Sequence, residues 1–152
     1  MSGNTGTDKE VTLTVPFDAD ELDTVRLTLY GVAVRMGYTY EEIEDLKVAL
    51  TEACNHALLQ TPEKPPGAAL RIVFTMRPAE LVVRLEGSGC RLSFREADDS
   101  AAELPQSAFL DDRQFESPRL GLYLMQALVD EVKVESGTGG ASDRIELYKR
   151  HG

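Results

Sequence analysis

The chain has 152 residues, an ordinary apolar fraction of 42% and a formal net charge of −10, enough for one domain with its own core. The acidic balance argues against direct nucleic-acid binding, which needs clustered Lys and Arg to neutralise phosphates. Two cysteines and two histidines make neither a disulfide framework nor a zinc pattern and fit a reducing compartment. The polar opening MSGNTGTDKE reads as neither a signal peptide nor a membrane span, so no membrane partner and a cytoplasmic location are expected.

Residues 1–9 are expected to be disordered. EVTLTVPF then alternates, with Val11, Leu13 and Val15 on one face of a strand. Asp18 or Asp20 is placed to cap ELDTVRLTLYGVAVRMG, where Leu22, Val25, Leu29, Val32, Ala33 and Met36 recur at helical spacing and Gly37 is a natural stop. In TYEEIEDLKVALTEACNHALLQ, Thr39 and Glu42 have the spacing of a capping box. Ile43, Leu46, Leu50, Ala53 and Ala57 form a core stripe there, while Asp45, Val48, Glu52, Asn55, His56 and Leu59 fall largely on another face. The prolines of TPEKPPG end this helix.

AALRIVFTMR and ELVVRLEG read as a hairpin turning at Pro78 and Ala79, and GSGC breaks its second strand. Residues 93–116 are acidic and aperiodic, a long loop. PRLGLYLMQALVDEV is a third helix with Pro118 near its first turn, carrying Leu120, Leu124 and Leu128 on one line and Met125 and Val129 on the next. VKVESG and DRIELYKR close the chain as a hairpin around TGGAS. The order β-α-α-β-β-loop-α-β-β predicts an α+β fold, a two-layer sandwich. Its mixed, mainly antiparallel sheet should carry three helices on one face and leave the other to solvent or a partner.

The stretch RLTLYGVAVRMGYTYEEIEDLKVALTEAC resembles the front half of the RsbW-type anti-sigma factor serine kinases, and LGLYLMQALVDEV resembles their third-helix segment. The two blocks stand in the family's order and separation. The likeness runs from about Val11 to Lys149 and is strongest at residues 26–54 and 120–132. It implies a single histidine-kinase-like ATPase domain over 1–152, of the GHKL fold shared with histidine kinases and gyrase. It also implies a protein that sequesters an alternative sigma factor, binds an anti-sigma-factor antagonist, phosphorylates a serine of that antagonist with ATP and magnesium, and forms a homodimer. Partner switching between the two would set a transcriptional response, typically to stress.

The resemblance makes Glu52 the general base, a carboxylate aimed by a helix at the attacking hydroxyl. Taken alone, Glu52 reads as a solvated surface carboxylate. Four residues on, where the family holds magnesium with an asparagine, this chain has His56, and Asn55 is one residue and about 100° out of place. Magnesium prefers oxygen ligands. His56 is therefore either a hydrogen-bonding partner of Glu52 or of a phosphate, or a position without ligand duty.

The adenine-binding Asp-x-Gly of the family falls on Leu85, Glu86 and Gly87, so the glycine is kept and the aspartate is not. Glu86 points to the opposite face of a regular strand and would reach the pocket only through a bulge. Without it the pocket loses a charge-assisted hydrogen bond worth about 1.5–3 kcal/mol, roughly tenfold or more in affinity. The glycine-rich entry to the last helix, which cradles phosphates on backbone N–H groups, falls on SPRLGLYL. Gly121 and Leu122 match, Arg119 replaces the first glycine, and Pro118 lacks a donor. Arg119 either grips a phosphate, is solvated, or fills the pocket. The loop's Glu96, Asp98, Asp99, Glu103, Asp111 and Asp112 would repel phosphates. Three readings follow: an anti-sigma factor that uses ATP poorly or not at all, a working serine kinase with an unusual pocket, and a GHKL-fold regulatory domain with another ligand.

Overall fold

The computed structural model describes residues 8–61, 64–94, 118–137 and 142–151, and of 118–122 the backbone alone. Strand β1 (Lys9–Pro16) leads through a short 3-10 turn (Ala19–Glu21) into helix α1 (Leu22–Arg35) and then helix α2 (Tyr40–Gln60). Strands β2 (Ala69–Arg77) and β3 (Glu80–Ser88) follow, then helix α3 (Pro118–Leu128) and strands β4 (Glu131–Glu135) and β5 (Arg144–Arg150). The five strands lie in the order β1-β2-β3-β5-β4. Every pairing among these described strands is antiparallel.

Alternation along the strands divides the sheet into two unlike faces. The register sets Leu13, Ile72, Leu85, Ile145 and Val134 in one row across all five strands. Val11, Phe74, Val83, Leu147 and Val132 make the next row. These rows pack with Leu29, Leu46, Leu50 and Met125 of the helices in one core. Burying each such side chain contributes about 1.5–3 kcal/mol. The opposite face carries Arg71, Arg84, Glu86, Glu135, Arg144 and Glu146. Ion pairs link Arg71, Glu86, Arg84 and Glu146 in one chain and Arg144 with Glu135 in another. Their half-exposed geometry makes them worth little each.

The helical stripes lie where the periodicity places them. Leu22, Val25, Leu29, Val32 and Ala33 of α1 are buried, and Gly37 follows the helix at φ 84°. Thr39 and Glu42 close a reciprocal capping box at the start of α2. Three boundaries differ from expectation. Lys9 belongs to β1, opposite Met76, and Asp8 pairs with Arg77 at 3.3 Å, so order begins inside the tail expected to be disordered; residues 1–7 lie outside the described residues. Asp18 caps the 3-10 turn, accepting from the N–H of Asp20, and the first turn of α1 has no side-chain cap. Helix α3 stops at Leu128 rather than running through Val132, because the N–H of Asp130 turns to the carbonyl of Tyr148 and strand pairing takes over.

The end of β5 ties the helices to the sheet. The hydroxyl of Tyr38, in the α1–α2 connection, donates to the carbonyl of Lys149 at 2.6 Å, and its ring stacks on His151 with centroids 4.7 Å apart. Lys149 reaches the carbonyl of Leu128 at 2.8 Å and Asp45 of α2 at 3.6 Å. Burial, its largest cause, pushes the Tyr38 hydroxyl up to about 12, so it stays a donor at all ordinary pH. Tyr38→Phe keeps the stack and removes the bond. It should cost about 0.5–1.5 kcal/mol and lower Tm by roughly 2–4 °C per kcal/mol, read by thermal denaturation. An unchanged Tm would mean the hydroxyl contributes no more than its solvation.

Candidate functional site

Glu52 projects from α2 into a groove of about 360 Å³ between α1 and α2, lined by Arg26, Glu44, Lys47, Val48, Thr51 and Glu52. Arg26 bridges the two helices: its Nε donates to Thr51 Oγ1 at 3.1 Å and its Nη1 to Asp23 at 2.8 Å. Lys47 pairs with Glu44 at 3.0 Å. Glu52 is half-buried, and that burial raises its pKa above the ordinary carboxylate value. A half-buried carboxylate of raised basicity, open to a groove, is equipped to accept a proton from an incoming hydroxyl. Cys54 is not a second candidate nucleophile. It is fully buried, and burial pushes its thiol up to about 12.

His56 does not share the face of Glu52 that its spacing in the sequence predicts. Four residues turn the helix by one turn and about 40°, which carries His56 from the line of Glu52 to the margin of the core. It is 6% exposed, and its ring stacks on Phe94 at 5.5 Å and 13°. Phe94 and Leu92 are themselves buried. Glu52 and His56 thus open to different surroundings: Glu52 to the α1–α2 groove, His56 to the segment after β3.

Leu85 is 1% exposed, central in its row between Ile72 and Ile145. Pairing of β2 with β3 is regular from Ala69↔Ser88 to Arg77↔Glu80, so no bulge turns Glu86 inward. Its carboxylate lies on the outer face, 3.4 Å from both Arg71 and Arg84, in a cleft of about 340 Å³ shared with Gly87, Asp143 and Arg144. Gly87 has its own steric reason. A Cβ there would come within 2.8 Å of the Cys90 carbonyl and 3.1 Å of Leu92. Gly89, at φ 70°, completes the reversal.

Arg119, Gly121 and Leu122 stand in the first two turns of α3. Their side chains, and the acidic loop at 95–116, lie outside the described residues.

These placements decide how well the described residues suit ATP and magnesium. Magnesium needs oxygen ligands, and the position expected to supply one is an imidazole stacked on a buried ring. The adenine amino group needs an acceptor, and the position expected to supply it is a leucine inside the core. Among the described residues, only Glu52 keeps an oxygen function where the resemblance requires one. The described residues do not fit the group. Sequence reasoning missed Arg26 and Phe94. Arg26 is one of two arginines in α1, and its spacing alone does not mark it as a bridge to α2. Phe94 was legible, since Cys90, Leu92 and Phe94 alternate with polar residues, but the alternation was absorbed into an aperiodic loop.

Comparison with known proteins accounts for the scaffold. The model of the histidine kinase-like ATPase domain matches residues 15–146. The serine-protein kinase RsbW of Bacillus subtilis is 36% identical over 129 residues, 85% of this chain and 79% of that protein, and the RsbW of Bacillus velezensis gives the same figures. The RsbW of Bacillus pumilus is 34% identical over 131 residues, covering 85% of this chain and 80% of that protein. A domain model spanning most of the strands and helices described above, and relatives alike over most of both chains, leave one assignment: the chain belongs to the histidine kinase-like ATPase family, among the RsbW serine-protein kinases.

Proposed function

We propose that this chain is an anti-sigma factor that holds an alternative sigma factor in one state and an anti-sigma-factor antagonist in the other, as one cytoplasmic domain acting as a homodimer. The phosphoryl transfer to the antagonist serine that the family name implies is weak or lost. Family membership supports the first part, together with the likeness of residues 26–54, which span most of α1 and of α2. A single observation carries the second: Leu85 and His56, at the positions expected to hold adenine and magnesium, are built into the interior. A protein of this kind switches by which partner it holds.

One observation favours a working kinase instead. Glu52 keeps a basic, half-buried carboxylate in a groove that also holds Arg26, a cation suited to an acidic partner or a phosphate. In that reading the groove would seat the antagonist's serine beside Glu52.

Leu85→Asp tests the observation that carries the first reading. In a chain whose Leu85 is core, the substitution buries a carboxylate between Ile72 and Ile145. It should destabilise by about 3 kcal/mol or more in chemical denaturation, with no gain in calorimetric affinity for ATP with magnesium. A variant of near wild-type stability that binds ATP at least tenfold more tightly would show that Leu85 lines a nucleotide pocket that has lost its acceptor, and would overturn its place in the core.

Glu52 gives a second test through pH. Its carboxyl takes up a proton more readily folded than unfolded, so its contribution to stability is most favourable below the ordinary value of 4.5 and falls as pH rises through the raised folded value. Glu52→Gln removes that penalty. The variant should unfold at higher urea concentration than wild type at pH 8, and the gap should close as pH approaches 4.5. Equal midpoints across the range would place the carboxyl in bulk solvent.

A further inference from the structure

The two outer strands of the sheet differ in how they meet other chains. Strand β4 is five residues long and sets Glu131, Lys133 and Glu135 at alternate exposed positions, the short, charged form that keeps an edge from pairing with another molecule. Strand β1 carries no such guard. It is eight residues long, pairs evenly with β2 from Lys9↔Met76 to Pro16↔Ala69, and holds no charge between Val11 and Val15. Among the described residues no strand is paired with its far side. Val11 and Leu13 belong to the core face yet are only partly buried, and Thr12 and Thr14 are exposed on the other face.

The run Val11, Thr12, Leu13, Thr14, Val15 reads the same in both directions. A strand of that symmetry is its own complement in an antiparallel ladder. With Leu13 on a twofold axis, Val11 meets the partner's Val15 on the core face and Thr12 meets the partner's Thr14 on the outer face. A slip of one residue would set threonine against valine and put the two cores on opposite faces of the joined sheet.

The helices agree with that axis. Helix α1 lies over β1 and β2, and α2 over β3 and β5. Arg26, which reaches Thr51, marks the side of α1 that faces α2. Thr24 and Thr28 stand two residues to either side of it, about 200° round the helix, and so face the β1 edge. Thr28 Oγ1 donates to the Thr24 carbonyl at 2.9 Å, which leaves that flank small. Strands are spaced about 4.8 Å apart, so a helix seated over the outermost pair comes to about 10 Å from its twofold copy, the distance at which helices pack. The copy runs antiparallel, which turns Asp20 and Glu21 before one α1 toward Arg35 at the end of the other.

We propose that two copies of this chain join edge to edge through β1, in register about Leu13, as one continuous sheet with the two α1 helices side by side above the joint. The proposal rests on the homodimeric state given to the chain above and assigns that state its surface.

Sedimentation velocity of the full-length chain over a range of concentrations is compared with two double variants. Thr12→Glu with Thr14→Glu sets carboxylates opposite each other across the joint, and Thr12→Lys with Thr14→Glu sets an ammonium opposite a carboxylate. Both positions are exposed, and their neighbours on β2 are Val73 and Arg71. The wild type should be a dimer. The first variant should dissociate about tenfold more readily, and the second should return to within roughly threefold of wild type. Amide exchange in wild type reports without any variant: β1 amides should slow about tenfold between monomer and dimer concentrations, and β4 amides should not. A wild type that stays monomeric, two variants of equal affinity, or β1 exchange that ignores concentration would overturn the proposal. Capture of the sigma factor by the same proteins is measured alongside. A monomer that still captures it would sink the strand pairing and leave the anti-sigma reading standing, and a dimer of the expected register that captures none would do the reverse.

Discussion

The row of side chains Leu13, Ile72, Leu85, Ile145 and Val134 constrains the rest of the molecule. In an antiparallel sheet of regular register, a residue's face is fixed by its neighbours' faces. Leu85 sits in the middle of that row, on the central strand. It cannot be turned outward, nor Glu86 inward, without reversing β3 against β2 and β5 together. The apolar rows hold the three helices, and the charged rows behind them form ion pairs among Arg71, Arg84, Glu86 and Glu146 and between Arg144 and Glu135. The same alternation that builds the core therefore removes the acceptor expected at the adenine position and hands the nearby carboxylate to Arg71 and Arg84.

Helix α2 shows how one element keeps part of a site and gives up the rest. Glu52 and His56 are one turn apart, and the 40° by which four residues overshoot a turn is the difference between a groove and a core. On the groove side, Arg26 and Thr51 hold α1 against α2 and leave Glu52 half-exposed, with its basicity raised by burial. On the core side, an imidazole lies flat against Phe94. An asparagine at position 56 would have no ring to offer that stack, and a chain with His56 has no oxygen to offer magnesium there. Phe94 and His56 are thus one packing solution, each giving the other an aromatic neighbour.

Much of this was legible in the sequence for physical reasons that can be named. Period two in EVTLTV and AALRIVF, period 3.6 in the two long helices, and the Thr39–Glu42 spacing each encode a local structure strongly enough to survive tertiary context. The order of elements then admitted few architectures. Boundaries were less legible. Val129 to Val132 continue a helical pattern, yet the offer of Tyr148's carbonyl to Asp130 ends the helix, and no local property of those residues announces it. Within the site, the loss of the aspartate at Leu85 could be read directly. The burial of His56 could not, because it depends on Phe94, thirty-eight positions away and fixed by Asp143 farther still.

Transfer of labelled phosphate from ATP with magnesium to the cognate antagonist, in a single turnover with this chain in excess, decides whether the site still works. If adenine and magnesium positions have been given over to the core, label on the antagonist serine will not exceed that of a Glu52→Ala control, while the antagonist is still bound. Label that reaches stoichiometry with this chain and falls to background in Glu52→Ala would contradict the account and make the chain a kinase with its pocket built by other residues.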